Sequence, residues 1–510
     1  MKINYLKETQ VFLFAALLFL CATSQFFGQR TVNVSQGIGT LNKAILGDTT
    51  ATGARVDLNT VYVLERGGYY LTTGTIENRF PLTVVAANGT GARPIVQPAV
   101  GVGGTGSNSF SPRANLTLKG LYVTNEDNGG SVDLRLMRIR SDNIRVIIDD
   151  CHFDKAGQSS FRFDAKNTKV YFINSIVSNI GVTSDPNNGR AFDDRGNAID
   201  TLVIENSSFY NLTSTVLRDG GGYIKYFRFN HNTTVNTGQR GLDVGEAVEI
   251  KFTNNLFINP AVLGVTPTAE PPVRVVVLVD SLLTKTIDGV AVTQKVLISN
   301  NNIYTDPAID VAQGDSASLA APFNATALAY INTAGTGSKN ISEAIQFTKG
   351  PALPTNVVTG FYANPNNTPP YDVTGEPFNF AYPTNKISYT FGTDGKPLGA
   401  INWFGMIVSV KKENSILPKD FELFANYPNP FNPTTNIRYS IPVQNHVSLT
   451  IYNLLGQKVA TLVDQIQQSG IYTANWNGTS DNGIAVSSGL YFYRIEAGNF
   501  ITTKKMLLIK

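Results

Sequence analysis

Seven stretches of the chain repeat one alternation of apolar and polar positions. They are Leu116-Thr-Leu-Lys-Gly-Leu-Tyr-Val123, Val146-Ile-Ile-Asp-Asp-Cys-His-Phe153, Val170-Tyr-Phe-Ile-Asn-Ser-Ile-Val177, Leu202-Val-Ile-Glu-Asn-Ser-Ser-Phe209, Phe227-Arg-Phe-Asn-His-Asn-Thr-Thr234, Ile250-Lys-Phe-Thr-Asn-Asn-Leu-Phe257 and Val296-Leu-Ile-Ser-Asn-Asn-Asn-Ile303. The apolar-x-apolar opening predicts a short strand with one buried face. The fifth position holds Gly120, Asp150, Asn174, Asn206, His231, Asn254 and Asn300. Gly, Asn and Asp tolerate the left-handed backbone of a sharp corner, and the apolar residue three positions on begins the next inward-facing strand. The copies recur at intervals of 30, 24, 32, 25, 23 and 46 residues. A coil of a parallel β-helix needs roughly 20-odd residues, and longer coils carry loops on one side. The pattern therefore predicts an all-β, right-handed, single-stranded parallel β-helix. Its corner asparagines should form a ladder, Asn174 over Asn206, and His231 in the same slot reads as a ladder member rather than a general base.

The flanks extend the picture. Leu41-Asn-Lys-Ala-Ile-Leu46 has helical spacing and suits a cap over the open end, while Thr60–Leu64 and Leu82–Ala86 read as early coils. Residues 305–400, rich in Pro, Gly, Asn and Ala, read as irregular late coils or loops covering the second end. Near Ile416 the texture changes. A Pro/Asn segment, Asn426–Thr435, is followed by alternating runs at Asn436–Ile441, Val447–Tyr452, Ile471–Trp476, Leu490–Ile495 and Phe500–Ile509. About seven strands in roughly 90 residues predict a small immunoglobulin-like β-sandwich. At the other terminus, Lys2 and Lys7 precede an apolar run from Val11 to Ala22, and Ala22-Thr23-Ser24 offers a cleavage point. This is a signal peptide pattern, short of the roughly 20 apolar residues that a bilayer span needs. The expected organisation is a signal peptide at 1–24, a β-helix at 31–405, a linker at 406–417 and a C-terminal domain at 418–510.

Composition narrows the chemistry. Charged residues are 15% of the chain, and Gly numbers 45, which disfavours long surface helices. A formal net charge of +3 gives no reason to expect a nucleic-acid partner. Three His and two Cys leave little for a zinc site, and Cys21 lies in the leader, so Cys151 has no disulfide partner in the mature chain. No membrane span is expected in the mature chain, and a monomer is. Serine-hydrolase, phosphate-loop and dinucleotide fingerprints are absent.

The repeat resembles the pectate-lyase-like β-helix superfamily over about 31–405, including Tyr62-Val-Leu-Glu-Arg-Gly-Gly-Tyr69 and Gly395-Lys-Pro-Leu-Gly399. The tail is similar to the type A sorting domain of the type IX secretion system. The residues that carry this are Tyr427-Pro-Asn-Pro-Phe-Asn-Pro433, Ile451-Tyr-Asn-Leu-Leu-Gly-Gln457, Trp476, Ser488-Gly-Leu-Tyr-Phe-Tyr493 and Lys504-Lys-Met506. That resemblance implies recognition of the tail by the secretion translocon and delivery to the outer-membrane cell surface or the medium. The first implies a polysaccharide partner. In lyases of the superfamily a Lys or Arg removes the proton α to a uronate carboxylate, which Ca²⁺ or a second cation neutralises.

Four units following the repeat carry suitable side chains: Phe161-Arg-Phe-Asp164, Arg190-Ala-Phe-Asp193, Val216-Leu-Arg-Asp219 and Arg240-Gly-Leu-Asp243. If the four aspartates stack on successive rungs about 5 Å apart, they need counter-charge. One reading makes Asp193, Asp219 and Asp243 ligands of Ca²⁺ and Arg218, Lys225 or Arg240 the base of a polysaccharide lyase acting by β-elimination. The other makes the rows a structural ladder of Arg–Asp pairs in a non-catalytic adhesin or glycan-binding protein.

Overall fold

The computed structural model describes residues 30–406 and 421–509, except 102–107, 183, 184, 186, 265–274, 283–285, 288, 315–320, 334–338, 427, 443, 444, 468, 469, 483 and 499. The predicted signal peptide, and all but residue 406 of the predicted linker, lie outside the described residues. The chain divides into two compact units, Met1–Ile407 and Val408–Lys510.

The first unit is a parallel β-helix. Its first sheet runs through Thr31–Val34, Val61–Leu64, Leu82–Ala86, Leu116–Lys119, Arg145–Asp149, Thr168–Ile173, Ile199–Glu205, Tyr223–Asn230 and Leu242–Thr253, which pairs with both Val275–Asp280 and Lys295–Ser299. A second sheet follows each corner, from Gly37–Ile38 to Asn302–Tyr304. A shorter third sheet stacks Asn108–Phe110, Arg135–Ile139, Ser159–Phe163, Arg190–Asp193 and Leu217–Arg218. The seven sequence repeats stack in a single register: Leu116, Val146, Val170, Leu202, Phe227, Ile250 and Val296 are successive partners. Every fifth-position residue has positive φ, from 51° at Asn174, Asn206 and His231 to 72° at Gly120. The corner is thus set by residues that accept left-handed backbone, and the strands by alternation.

Inside, phenylalanines from all three sheets meet. Phe161 stacks on Phe192 with centroids 5.0 Å apart, and Phe172 meets Phe192 edge-on at 5.4 Å. Such pairs add to the area term that already favours each buried ring. The helix Thr40–Leu46 buries Leu41 and Ile45 against the first coils, as its spacing predicts.

The asparagines form ladders as expected, and more of them than the repeat announces. Asn206 donates to Asn174 Oδ1 (2.6 Å), and Asn174 donates to Asp149 Oδ1 (2.9 Å). One position on, an inner row passes the backbone N–H of Cys151, Ser175, Ser207, Asn232, Asn255 and Asn301 to the side chain of the next coil. A further left-handed corner appears five residues after the first, at Lys155, Asn179, Asn211, Asn236 and Asn259.

The segment after residue 305 differs from expectation. It contains the helices Pro307–Gln313, Ala325–Thr333 and Thr355–Ala363, and residues 391–403 then run back along the coils, from Asn300 to Asn206. The corner side chains hold this return segment. Asn254 donates to Thr393 Oγ1 (2.9 Å), Asn300 to the Phe391 carbonyl (2.6 Å), and Asn206 accepts from the Ile401 N–H (2.6 Å). His231 pairs with Asp394 at 3.3 Å and faces the carbonyl of Pro397. Phe378, Phe380, Tyr382 and Leu398 cover Ile176, Tyr210, Val235, Leu256 and Ile258 of the second sheet.

The second unit is a sandwich of two antiparallel sheets. One contains Glu422–Leu423, Thr435–Ile441 and Gly470–Trp476, the other Lys458–Gln467, Asn445–Tyr452, Gly489–Ala497 and Phe500–Leu508. Trp476, Tyr439, Tyr493 and Met506 fill its core. Phe431 of the Pro/Asn segment packs on Trp476 with centroids 5.5 Å apart, which anchors a stretch that cannot pair as a central strand.

Candidate functional site

The third sheet and the residues just past its strands present Arg162, Asp164, Arg190, Asp193, Arg218 and Asp219, in a register one residue away from the simple stack, while Asp243 opens the first-sheet strand Leu242–Thr253 with Arg240 just before it. Arg138, Arg162, Asp193 and Arg218 are successive partners. Asp193 therefore lies level with arginines, and its neighbour Asp194 lies level with Asp219. The reason is that Asp219 follows its arginine directly, whereas Asp164 and Asp193 stand two and three positions after theirs.

Ion pairs fill the Arg138–Arg218 row. Asp164 accepts from Arg138 Nε (2.6 Å) and Arg162 Nε (2.7 Å). Asp193, 1% exposed, accepts from Arg190 Nη1 on Oδ2 and from Arg218 Nη1 on Oδ1, both at 3.3 Å. Arg240 pairs with Asp243 in its own coil. Arg218 and Arg240 each stay about one-third exposed. Lys225 is half-buried on Tyr223–Asn230, a strand of the first sheet, so the structure sets it on a different sheet from Arg218.

Beside this row is a carboxyl pair that the repeat pattern did not reveal. Asp194 Oδ1 accepts from the N–H of Gly220 (2.5 Å) and Gly196 (3.0 Å), Asp219 Oδ1 accepts from the N–H of Gly221 (2.9 Å), and the two carboxyls act on each other's charge. Burial pushes Asp194 up to about 7, with the Asp219 charge adding to it, and Asp219 is raised by burial as well. Burial also lifts Asp243 to about 6 against the pull of Arg240. Glu246 and Asp280 contribute like charge to Asp219. Glycines allow the crowding. A Cβ on Gly245 (φ 61°) would lie 2.2 Å from Asp219 Cγ, and one on Gly220 would lie 2.6 Å from Asp194 Oδ1. The doublet Asp193-Asp194 was the available sequence signal, but its second member becomes informative only once the register is known.

Whether calcium fits can be tested on the donors. Asp193 is taken by two arginines, Asp243 by Arg240, and Asp219 Oδ1 by the N–H of Gly221. Among the described residues no group of three or more His, Cys, Asp or Glu side chains is placed to hold a metal ion. The three aspartates do not fit a calcium site as arranged, and no step is derived through one.

A second polar cluster lies on the second sheet. Asp154 accepts from Tyr122 (2.5 Å), Ser178 (2.6 Å) and Asn179 (2.9 Å), and Ser178 meets His152 Nε2 at 2.7 Å. Asn179 also donates to Glu376 of the segment that precedes the return (3.0 Å). Burial lowers His152 to about 4, so the ring is neutral at pH 7. These groups satisfy one another and clamp Glu376 to the coils.

Comparison with known proteins bears on the tail. The family described as the secretion system C-terminal sorting domain matches residues 425–510. Among solved structures, dimeric latent PorU from Porphyromonas gingivalis is similar at 21% identity over 19% of this chain and 10% of its own, with a TM-score of 0.16. PorZ, a surface component of the type IX secretion system of the same organism, is similar at 19% identity over 17% of this chain and 11% of its own, TM-score 0.14. The chain thus spans about a tenth of the length of either. The enzymatically active domain of tailspike protein 2 from bacteriophage CBA120 is similar at 11% identity over 88% of this chain and 72% of its own, TM-score 0.25. No curated protein matches the chain. The β-helix rests on its own strand register rather than on these likenesses. Among the described residues no helix is long and apolar enough to cross a membrane. The chain is a secreted or cell-surface protein, a parallel β-helix that carries a type IX secretion system C-terminal sorting domain and meets that machinery through it.

Proposed function

We propose that the exported β-helix engages an anionic, uronate-bearing polysaccharide along its third sheet and cleaves it by β-elimination at the Asp194–Asp219 corner. The observation that carries this reading is the buried carboxyl pair holding a proton near neutral pH beside a row of arginines. Arg218 and Arg240, held by Asp193 and Asp243 with about a third of each side chain exposed, suit the neutralisation of a uronate carboxylate. Lys225, on the first-sheet strand that the Asp219-Gly-Gly-Gly222 corner leads into, is then the base candidate, reaching a substrate that bends round that corner. It takes the proton α to the carboxylate, the carbon–carbon double bond forms as the glycosidic C–O bond breaks, and the leaving oxygen takes the proton held by the Asp pair.

The same pair supports a second reading, hydrolysis, in which a carboxyl of raised pKa protonates the leaving oxygen and a carboxylate activates water or attacks. One assay separates the two. The mature protein is incubated with a panel of uronate polysaccharides, with and without Ca²⁺, and absorbance near 235 nm and new reducing ends are followed together. Elimination raises both, and the rise disappears in Arg218→Ala, Lys225→Ala or Arg240→Ala. Reducing ends without absorbance overturn elimination in favour of hydrolysis. Retention of a polymer with neither signal overturns catalysis and leaves a glycan-binding surface protein.

A further inference from the structure

Two coils before the carboxyl pair, on the same sheet, is an arginine with no ion-pair or hydrogen-bond partner among the described residues, compensated only at a distance by Asp164 and Asp193. Arg135 is 8% exposed, and no described residue bonds its guanidinium. Its Nε is buried without a partner, and Nη1 and Nη2 are not, so the end of the fork keeps what solvent access the side chain has. The carboxylates within reach are committed elsewhere. Asp164 serves Arg138 and Arg162, and Asp193 serves Arg190 and Arg218. Five arginines on strands Arg135–Ile139 to Leu217–Arg218 thus share two ion-paired aspartates, Asp193 on its strand and Asp164 just past its own. The stretch leading into the preceding strand, residues 99–111, contains no Asp or Glu.

Register gathers further unused polar atoms at this point. Arg135 is the partner of Ser159, and Ser159 of Arg190. Ser159 Oγ and Arg190 Nε are buried without hydrogen-bond partners, like Arg135 Nε. Burial and the charges of Arg162 and Arg138 together weaken the proton affinity of Arg135, to a pKa of about 10, which still leaves it cationic at neutral pH. A buried cation among like charges is costly unless a counter-charge arrives. A planar fork with open N–H groups is the side chain that matches an oxyanion bidentately.

We propose that Arg135, flanked by Arg138 and Arg162, is a subsite for one anionic substituent, a carboxylate or a sulfate ester, on the bound polysaccharide. The inference rests on the glycan reading above and assigns it a second contact point. Rungs of a sheet stack about 4.8 Å apart, so the Arg135 and Asp194 coils lie roughly 10 Å apart along the stack. A polymer lying along the sheet would then be held at Arg135 a few sugar units from the bond that meets Asp194 and Asp219.

The test is thermal unfolding and binding of the full mature chain and of Arg135→Gln, with Arg135→Lys as the conservative variant. The probes are sodium sulfate and sodium glucuronate against sodium chloride at equal ionic strength, then desulfated, carboxyl-reduced and unmodified oligosaccharides. The expected result is saturable stabilisation of the wild type by one or both anions, lost in Arg135→Gln and partly kept in Arg135→Lys. Arg135→Gln itself should melt no lower than wild type without anion, because it removes a charge compensated only at a distance. Affinity for the matching oligosaccharide should fall about tenfold. Loss of binding on desulfation alone identifies a sulfate ester, and on carboxyl reduction alone a uronate. A destabilised Arg135→Gln with an unchanged anion response would overturn the subsite and make Arg135 structural. An Arg135-dependent response to the simple anions, with no oligosaccharide bound, would retain the anion site and overturn the glycan reading beneath it.

Discussion

Two corners of the same coils handle buried polar groups in opposite ways. At the Asn174–Asn300 corner, amides of successive coils bond one another, the turn backbone and the return segment, and the geometry repeats from coil to coil. At the Asp194–Asp243 corner, carboxyls are crowded together, raised by burial, and hemmed in by arginines that share too few partners. A ladder of neutral, mutually satisfied groups stabilises a stack at little electrostatic cost. A cluster of displaced charges does not, which is why the proposed function places the polysaccharide at this corner.

That contrast can be broken from either side. The largest expected effect is on the ladder. Asn255 is fully buried, donates to Asn301 and the Phe229 carbonyl, and accepts from the Asn232 N–H. Asn255→Ala strands those groups and should cost about 3 kcal/mol in denaturant unfolding, with no special effect on glycan binding. Next comes the acid corner's backbone. Gly245→Ala adds a Cβ against Asp219 at positive φ and should cost roughly 2 kcal/mol, and it should also weaken any cleavage by displacing the carboxyl pair.

A smaller effect has a diagnostic pH dependence. Because Asp194 is raised to about 7, the folded chain keeps a proton that the unfolded chain has released. Its contribution is fully present below the ordinary carboxyl range and is lost as pH rises through about 7. His152, lowered to about 4, acts with the opposite sign: stability is present above the ordinary imidazole range and is lost as pH falls toward 4. Asp194→Asn should shrink the decline on the alkaline side, gaining on the order of 1 kcal/mol at pH 8 while Asp219 and Asp243 keep part of it, and leave the acid-side decline intact. Melting curves between pH 4 and 9 check both arms.

The unequal legibility of the two corners has a physical cause. Strand alternation and the left-handed Asn corner are local, so the seven repeats, the helix Thr40–Leu46 and most of the sandwich strands could be read from neighbours in sequence. The return segment could not, because what holds it are contacts such as Asn254 with Thr393 and Asn206 with Ile401, made across 139 and 195 residues. At the acid corner Arg218, Arg240, Asp219 and Asp243 were visible as residue types. Asp194 and Arg135 were not, because a shift of one residue between coils decides which carboxyls meet and which arginine is left over.

The smallest expected stability change belongs to the exposed arginines, and it leads to the decisive measurement. Arg218→Ala and Arg240→Ala remove the one-third-exposed ends of pairs with buried aspartates, but Asp193 keeps Arg190 and Asp243 can take up a proton, so stability should change by only about 1 kcal/mol. Their retention on affinity gels containing uronate polysaccharide, compared with wild type and with Asn255→Ala at a temperature where all four proteins are folded, tests the central claim directly. The account predicts that wild type and Asn255→Ala are retarded alike, while both arginine variants migrate freely. Equal migration of all four proteins on every anionic polymer would contradict it and make the arginine face a structural ladder.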